Sequence, residues 1–557
     1  MATVAKPPAP EHLTMKLFAP GMTAMHRAGL GGLACTLKAM ERQYEADLLR
    51  ANKLPGPLVD GLYPWDISDD TVTLRFGKPT HARDYLKKLF AFAFSITRSG
   101  LIYLPGQHHS QPSDAILAAL QSGFTLTFLQ HGRVRALAKD VTTVSYDFAG
   151  DGVPSLVLEY KKCSGFKHQA GWEELVKKDG SLVVDVIKVD GPISPGTVIR
   201  HVAFTSQTGA EDPAERMLPL YFSMVGCLSL PVNRGVAALI VPEVEDLLEF
   251  LYDRPAMTPS SAMDCQIANA ADAAFRAQVR VRESGTRKAE TRQRARKSMA
   301  GSTIPACYAM TFMPTPWASQ QKSRVATIHV SSGDDAVLDR YQLALVHLAP
   351  RIVTTTVRES AGRGRQKTTT ERQESFRSDS VVRPLIAENL ALGIKWYADF
   401  VNLMTKKNPA TDKPYRDHLH FEIKGLHAMI TETKMWDQDG EQLVVEAIHQ
   451  AMRQRMAQIR SETEGDTSKG LTQATKNRWD RFRERLRLSL CGSKKEDDVR
   501  FALMDLFSRA GNIPALRGGW QHVLPVIRRD WRLSRDLGLL ALASYAGRGD
   551  AGTTDQP

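Results

Sequence analysis

The chain holds 557 residues, 43% of them hydrophobic, with a formal charge of +12 at pH 7. Such a length exceeds one ordinary domain and predicts about two to four. No run reaches the roughly 18 apolar residues of a membrane span, and the start MATVAKPPAPEH lacks an apolar signal core, so a cytoplasmic protein without a membrane partner is expected. The basic surplus favours a polyanionic partner, nucleic acid ahead of membrane.

Residues 1–12 read as loose. Residues 17–40, LFAPGMTAMHRAGLGGLACTLKAM, place a short apolar start before Pro20–Gly21 and then a helix over 25–50. The cation pair His26–Arg27 stands near its beginning. Gly29, Gly31 and Gly32 lie inside it. Each glycine costs a helix roughly 1 kcal/mol against alanine, so three together predict close backbone approach to something. A second helix is predicted over Tyr85–Ile96. Strand-like runs are Thr71–Phe76, Phe124–Leu129, Ser155–Tyr160, Ser181–Val189 and Val198–Thr205, several of them set apart by Asp-Gly turn signals. There is no regular βαβ alternation, which makes the pattern mixed α+β. Residues 212–275 turn helical, most clearly in LIVPEVEDLLEFLY (239–252).

Two basic excursions follow. Over 276–297, nine Arg/Lys stand against Glu283 and Glu290; the stretch begins with the alternation Gln278–Arg282 and precedes the strand-like Cys307–Met313. The second, 358–377, lies between the strand-like runs Ile352–Val357 and Ser380–Ile386. Each reads as a strand pair joined by a long charged loop, which must be solvated or bound. Arginine's planar fork suits phosphate oxygens. The candidate nucleic-acid contacts are Arg287, Lys288, Arg292, Arg294, Arg296 and Lys297 in the first, and Arg363, Arg365, Lys367 and Arg372 in the second.

GIKWYADFVNLM (393–404) reads as a helix apolar nearly all round, hence buried core. In HLHFEIKGLHAM (418–429), His418, His420 and Glu422 alternate along a predicted strand. That row fits a metal site or, more commonly, a plain strand face. Beyond residue 430 no strand is predicted. Trp479, Phe482, Leu486 and Leu490 form an apolar stripe at helical spacing, and Arg478, Arg481 and Arg485 form a positive ridge on the same helix. Further helices are predicted over 496–509 and 518–545. The fold expected is an α+β body over 1–430 with basic hairpin-like loops, followed by an all-α C-terminal helical bundle over 431–557, of four or five segments.

The six cysteines form no CxxC pair and read as buried free thiols in a reducing compartment. The sequence carries no P-loop, no nucleophile elbow and no carboxylate pattern for two-metal work. No catalytic residue, metal or cofactor is expected.

The opening APGMTxxHRAGLGGL, with GIKWYADFVNLM and HLHFEIKGLHAM downstream, resembles the large subunit of a type I CRISPR interference complex (Cascade). It is most similar to the type I-B branch with its myxobacterial variety. That resemblance implies a non-enzymatic subunit that helps hold the CRISPR guide RNA, inspects the short motif beside the target (the PAM), opens the target double-stranded DNA and stabilises the R-loop. It also implies Cascade backbone and guide-handle-binding subunits and a helicase-nuclease as partners in antiviral defence. A small subunit is implied too, made from an internal start; Met429 and Met435 are the available codons. The PAM-reading candidates are Gln107, His108 and His109, in a polar loop between Pro105 and Pro112. Two competing readings are a guide-RNA processing endonuclease of a CRISPR locus and a sequence-specific DNA-binding scaffold or regulator.

Overall fold

Three glycines in the first long helix organise the first part of the chain. In the computed structural model the chain forms two units, 1–333 and 334–557. The described residues are 10–146, 155–190, 209–232, 235–293, 304–315, 318–332, 334–361, 368–407, 412–464 and 470–546.

The first unit opens with β1 (His12–Lys16) and α1 (Ala24–Glu45), then β2 (Trp65–Ile67) and β3 (Thr71–Arg75), in a three-stranded antiparallel sheet of order β1-β3-β2. Next come α2 (Ala82–Ala93), the short pair β4 (Ser95–Ile96) and β5 (Ile102–Tyr103), and α3 (Asp114–Leu126). An antiparallel ribbon of β6 (Arg135–Tyr146) and β7 (Leu156–Phe166) follows, then the pair β8 (Ile187–Asp190) and β9 (Gly209–Asp212), then α4 (Ala214–Gly226). A four-stranded antiparallel sheet closes the unit in the order β10 (Leu228–Pro231), β11 (Ala237–Pro242), β12 (Cys307–Thr315), β13 (Ala318–Val330). Helices α5 (Leu247–Met257) and α6 (Ala270–Gln293) are inserted between β11 and β12.

The α1 glycines are explained by α4. A Cβ on Gly29 would stand 1.9 Å from the Pro219 carbonyl oxygen, and one on Gly32 would stand 2.5 Å from the Phe222 carbonyl. The approach is reciprocal, because a Cβ on Gly226 of α4 would lie 1.8 Å from the Ala28 carbonyl. Gly31 leaves room for the Phe250 ring of α5. The result is a buried α1 with fourteen buried residues.

Several sequence expectations need correction. Phe124–Leu129 is the end of α3 and the turn after it, since the run Ala115–Leu120 starts a helix capped by Ser113. The stretch 239–252 is split: Leu239–Pro242 belongs to β11, and the helix begins only after Asp246, whose carboxylate caps Leu248 and Glu249. Residues 276–293 are helix, not strand and loop. Ala270, Ala271, Ala273 and Ala274 are buried ahead of them and Ala277 at their start, so the Val279/Val281 alternation sits on a helix already anchored on one side. Val198–Thr205 lies outside the described residues.

The second unit begins with α7 (Asp335–His347), capped by Asp334, and a second ribbon, β14 (Arg351–Ala361) and β15 (Thr368–Ser378). Helix α8 (Arg383–Ala391) replaces the strand expected over Ser380–Ile386; Ser380 caps it by accepting from the Val382 and Arg383 amides. The 393–404 segment is turns up to α9 (Val401–Thr405), not one helix: Gly393 and Asp399 take left-handed φ values of 66° and 59°. Its expected burial holds for Trp396, Tyr397, Phe400, Leu403 and Met404. Asn389 donates to the Trp396 and Ala398 carbonyls, and the buried Asp536 carboxylate accepts from the Asp399 and Val401 amides, so the turns are held by side chains.

After α10 (Arg416–Leu419) and α11 (Ile423–Thr431) come five helices: α12 (Asp439–Glu464), α13 (Gln473–Gly492), α14 (Glu496–Ala510), α15 (Pro514–Arg529) and α16 (Trp531–Ser544). Thus the α+β part followed by helices is as expected. The one long helix expected over 518–545 is two, parted at Asp530, which caps α16. All six cysteines are free; five are buried and Cys491 is half-buried.

Candidate nucleic-acid interface

On α13 the basic residues divide by what they touch. Arg483 faces the Tyr545 ring at 5.5 Å, and Arg487 donates to Glu484 and to the Met404 carbonyl. Arg478, Arg481 and Arg485 are exposed at helical spacing. Arg478 donates to Thr463 Oγ1 at 3.1 Å, and Arg481 and Arg485 form no ion pair among the described residues. The apolar stripe holds this face outward: Leu486 and Leu490 are buried, and Trp479 Nε1 donates to the Met456 carbonyl on α12 at 2.9 Å.

Ribbon β14–β15 pairs Arg351 with Ser378 through to Ala361 with Thr368, eleven registered pairs in a sheet of only two strands. A two-stranded ribbon is one of the shapes a DNA major groove admits. The sequence thus placed the charged stretch in a loop, whereas much of it is strand. Arg372 stands opposite Val357, with its side chain outside the described residues, and Arg363, Arg365 and Lys367 lie outside them altogether. Arg287, Lys288 and Arg292 fall on the C-terminal half of α6 with side chains outside the described residues, and Arg294, Arg296 and Lys297 are wholly outside.

The Gln107–His109 loop is more enclosed than its polarity implied. Gln107 is 1% exposed, and its amide donates to the carbonyls of Met224, Val225 and Cys227 at 2.8, 3.2 and 3.4 Å. The buried Arg254 guanidinium donates to Val225 and Cys227 as well, at 2.8 Å each, and to Thr258 Oγ1. A cation and an amide together satisfy the orphan carbonyls at the C-terminus of α4, where the helix dipole favours positive charge. His108 is buried too; Arg42 donates to its carbonyl, and burial, with Arg254 and His109 nearby, holds its imidazole down to about 3. His109 is the exposed member. Nothing in the local sequence singled out Arg254, because its role depends on a helix end far away in the chain.

The pair His26–Arg27 is not a pair of cations. His26 is buried, which lowers its pKa, and its Nε2 lies 3.1 Å from Asp212 Oδ2. Its Nδ1 accepts from the Thr23 amide, so Nε2 carries the proton given to Asp212. Arg216 joins Asp212 and donates to the Pro20 carbonyl at 3.1 Å. The PGMTxxHR stretch therefore ties the start of α1 to the segment that opens α4.

His418, His420 and Glu422 do not form an alternating row, since they lie in α10 and the turn after it. Glu422 accepts from Ser380 Oγ at 2.5 Å and from the Val381 amide at 2.7 Å, and His420 packs on Phe421. Among the described residues no group of three or more His, Cys, Asp or Glu is placed to hold a metal ion.

A family model described as the DevT N-terminal domain matches residues 14–221, and one described as the DevT C-terminal domain matches 432–556. A Myxococcus xanthus (strain DK1622) protein, "CRISPR-associated protein Cas8a1/Csx13", is 33% identical over 555 residues, covering 97% of this chain and 90% of that protein. The chain belongs to the CRISPR-associated Cas8a1/Csx13 family. The resemblance to a CRISPR interference-complex large subunit, read from the opening and the two downstream segments, is thereby correct. The DevT N-terminal match contains the His26–Asp212 tie and the Gln107–His109 loop; the DevT C-terminal match contains the Arg478–Arg485 ridge. The β14–β15 ribbon and α6 fall between the two matches. No described helix is long and apolar enough to cross a membrane.

Proposed function

We propose that this Cas8a1/Csx13 family member is the non-catalytic large subunit of an RNA-guided Cascade complex of type I-B. It binds guide RNA and target DNA, reads the PAM, stabilises the R-loop and helps recruit the helicase-nuclease. The observation that carries the reading is the similarity to a CRISPR-associated protein along 97% of the chain. The exposed Arg478–Arg481–Arg485 ridge and the two-stranded β14–β15 ribbon give that reading surfaces suited to phosphate and groove contacts. Exchange of a DNA duplex for a guide heteroduplex is nearly balanced, so modest protein contacts tip it. In this proposal His109 is the side chain presented to the PAM, and Gln107 and His108 hold its loop. The basic residues of 287–297 and 363–372 add sequence-independent affinity. The bundle serves as a small-subunit equivalent, also produced alone from Met429 or Met435; a product starting at Met435 would contain all of α12–α16.

The test is purification of the tagged full chain from cells carrying its repeat array. Guide RNA and backbone subunits should co-purify, and the complex should bind a duplex target next to the correct motif. Cleavage of repeat RNA by the chain alone would favour the processing endonuclease instead.

A further inference from the structure

At the foot of the β14–β15 ribbon lies a cavity of about 60 Å³ whose lining includes Arg351, Ser378, His418, Phe421 and Glu422. Its acids are already engaged. Glu422 spends its two oxygens on Ser380 Oγ and the Val381 amide, and Asp379 is taken by Arg377 and Arg383. Its donors are not. His418 Nε2 is buried with no hydrogen-bond partner among the described residues. Arg351 makes no ion pair among them; its guanidinium instead lies over the Phe421 ring, 3.4 Å from the centroid, with His420 packed against that ring. A guanidinium fixed on an aromatic face is pre-organised, so little rotamer freedom remains to be lost on binding. A buried imidazole nitrogen without a protein partner is costly and calls for a water or a ligand atom beside it.

We propose that this cavity is a phosphate-group site. Arg351 and Ser378, from the paired ends of the two strands, and His418, from α10, take the oxygens of one tetrahedral oxyanion. The cavity is small for a nucleoside, and the ribbon it roots carries Arg363, Arg365 and Lys367 in its connecting sequence. The favoured source is therefore a phosphodiester of a polynucleotide lying along the ribbon, a choice that rests on the function proposed above. A free phosphate is the other source of the same chemistry.

Binding is proton-linked. The charged and titratable groups around His418 are Arg351 on β14, Asp379 just past β15, Glu422 beyond α10, His347 at the end of α7, and Lys413, Asp417 and His420 on its own segment. Burial and Arg351 hold the imidazole below its ordinary pKa. An oxyanion raises it again, so affinity climbs as pH falls through the imidazole range.

The test uses the full chain with sulfate, which stays a dianion throughout, and a fluorescein-labelled oligothymidylate. In wild type, millimolar sulfate should raise the melting midpoint more than sodium chloride of equal ionic strength. Oligonucleotide affinity should rise about threefold between pH 8 and pH 6. His418→Gln and Arg351→Gln, checked for an unchanged far-ultraviolet spectrum, should each lose the sulfate response and at least half of the pH-linked gain. If the variants lose the sulfate response but keep wild-type oligonucleotide affinity, the site belongs to a free oxyanion and the polynucleotide source is overturned. If sulfate acts no differently from chloride, or acts equally on wild type and both variants, the site itself is overturned. Retained oligonucleotide affinity in that case leaves the CRISPR reading standing.

Discussion

Gly29 of α1 faces the main-chain carbonyl of Pro219 on α4, and a Cβ at Gly29 would stand 1.9 Å from that oxygen. Backbone cannot yield as a side-chain tip can, so alanine here must push two buried helices apart. Overpacking of this kind costs about 1–3 kcal/mol and sometimes more, against a gain of roughly 1 kcal/mol from better helix propensity. Gly29→Ala should therefore lower stability by about 2 kcal/mol or leave the chain insoluble. Gly285 on α6 is the control: nothing lies within 4 Å of its Cβ position, and Gly285→Ala should stabilise by about 0.5–1 kcal/mol. Urea midpoints of the two variants moving in the same direction would refute the close-approach account.

Arg254 and Gln107 share the carbonyls that end α4. Arg254→Met keeps much of the volume and removes the donors, leaving buried acceptors unsatisfied at a cost of about 2–4 kcal/mol. Gln107→Ala should lower stability by about 1–2 kcal/mol for the same reason. Both should weaken duplex and pre-opened targets alike, through the fold. His109→Ala should weaken duplex binding selectively and leave the thermal midpoint unchanged. A selective duplex effect from Gln107→Ala with unaltered stability would return the reading role to Gln107.

Two histidines give a pH dependence whose sign is fixed by burial. His108 in the first unit is held to about 3, and His449 in the second, which meets the Ala541 carbonyl at 2.8 Å, to about 4. Both are depressed from the ordinary 6.5, so the unfolded chain takes up protons that the folded chain refuses. Their contribution is complete above about pH 6.5 and falls as pH drops towards 4. His449→Gln keeps a donor for the Ala541 carbonyl and removes the titration. It should flatten the acid limb of stability between pH 6.5 and 4. An unchanged slope would show that the imidazole is protonated in the fold.

Much of this architecture was legible because it is written locally. The α1 glycines announced a close backbone neighbour, and Trp479, Phe482, Leu486 and Leu490 announced a bundle helix. What failed was decided at a distance. LIVP in 239–242 is helix-compatible by itself but pairs, as part of strand β11, with Cys307–Met310, about 65–71 residues on. His418 and His420 alternate in sequence, yet Glu422 of the same row is drawn to cap the start of α8. Gln107 looked like a surface reader because its partners are the carbonyls of residues 224–227. The Arg351–His418 cavity needs a register pair, Arg351 with Ser378, that no local pattern reveals.

The Arg478–Arg481–Arg485 ridge offers the most direct test of where the bundle meets nucleic acid. The three side chains are exposed, and the helix beneath them is anchored by Trp479, Leu486 and Leu490. Replacing all three with Gln removes charge while keeping length and helix propensity, so the fold should keep its thermal midpoint within a few degrees. If the ridge lies on phosphates, binding should weaken to a similar extent on every sequence, because phosphate contacts position without specifying. The slope of log K against log salt should flatten by about 0.7 per contact on a single strand and about 0.9 on a duplex. The size of the flattening thus tells which form of DNA the ridge follows. Arg487→Gln is the internal control, as its guanidinium is committed to Glu484 and the Met404 carbonyl. It should lower stability and leave the salt slope alone. A triple variant with an unchanged slope in the assembled complex would move the nucleic acid off this face of α13.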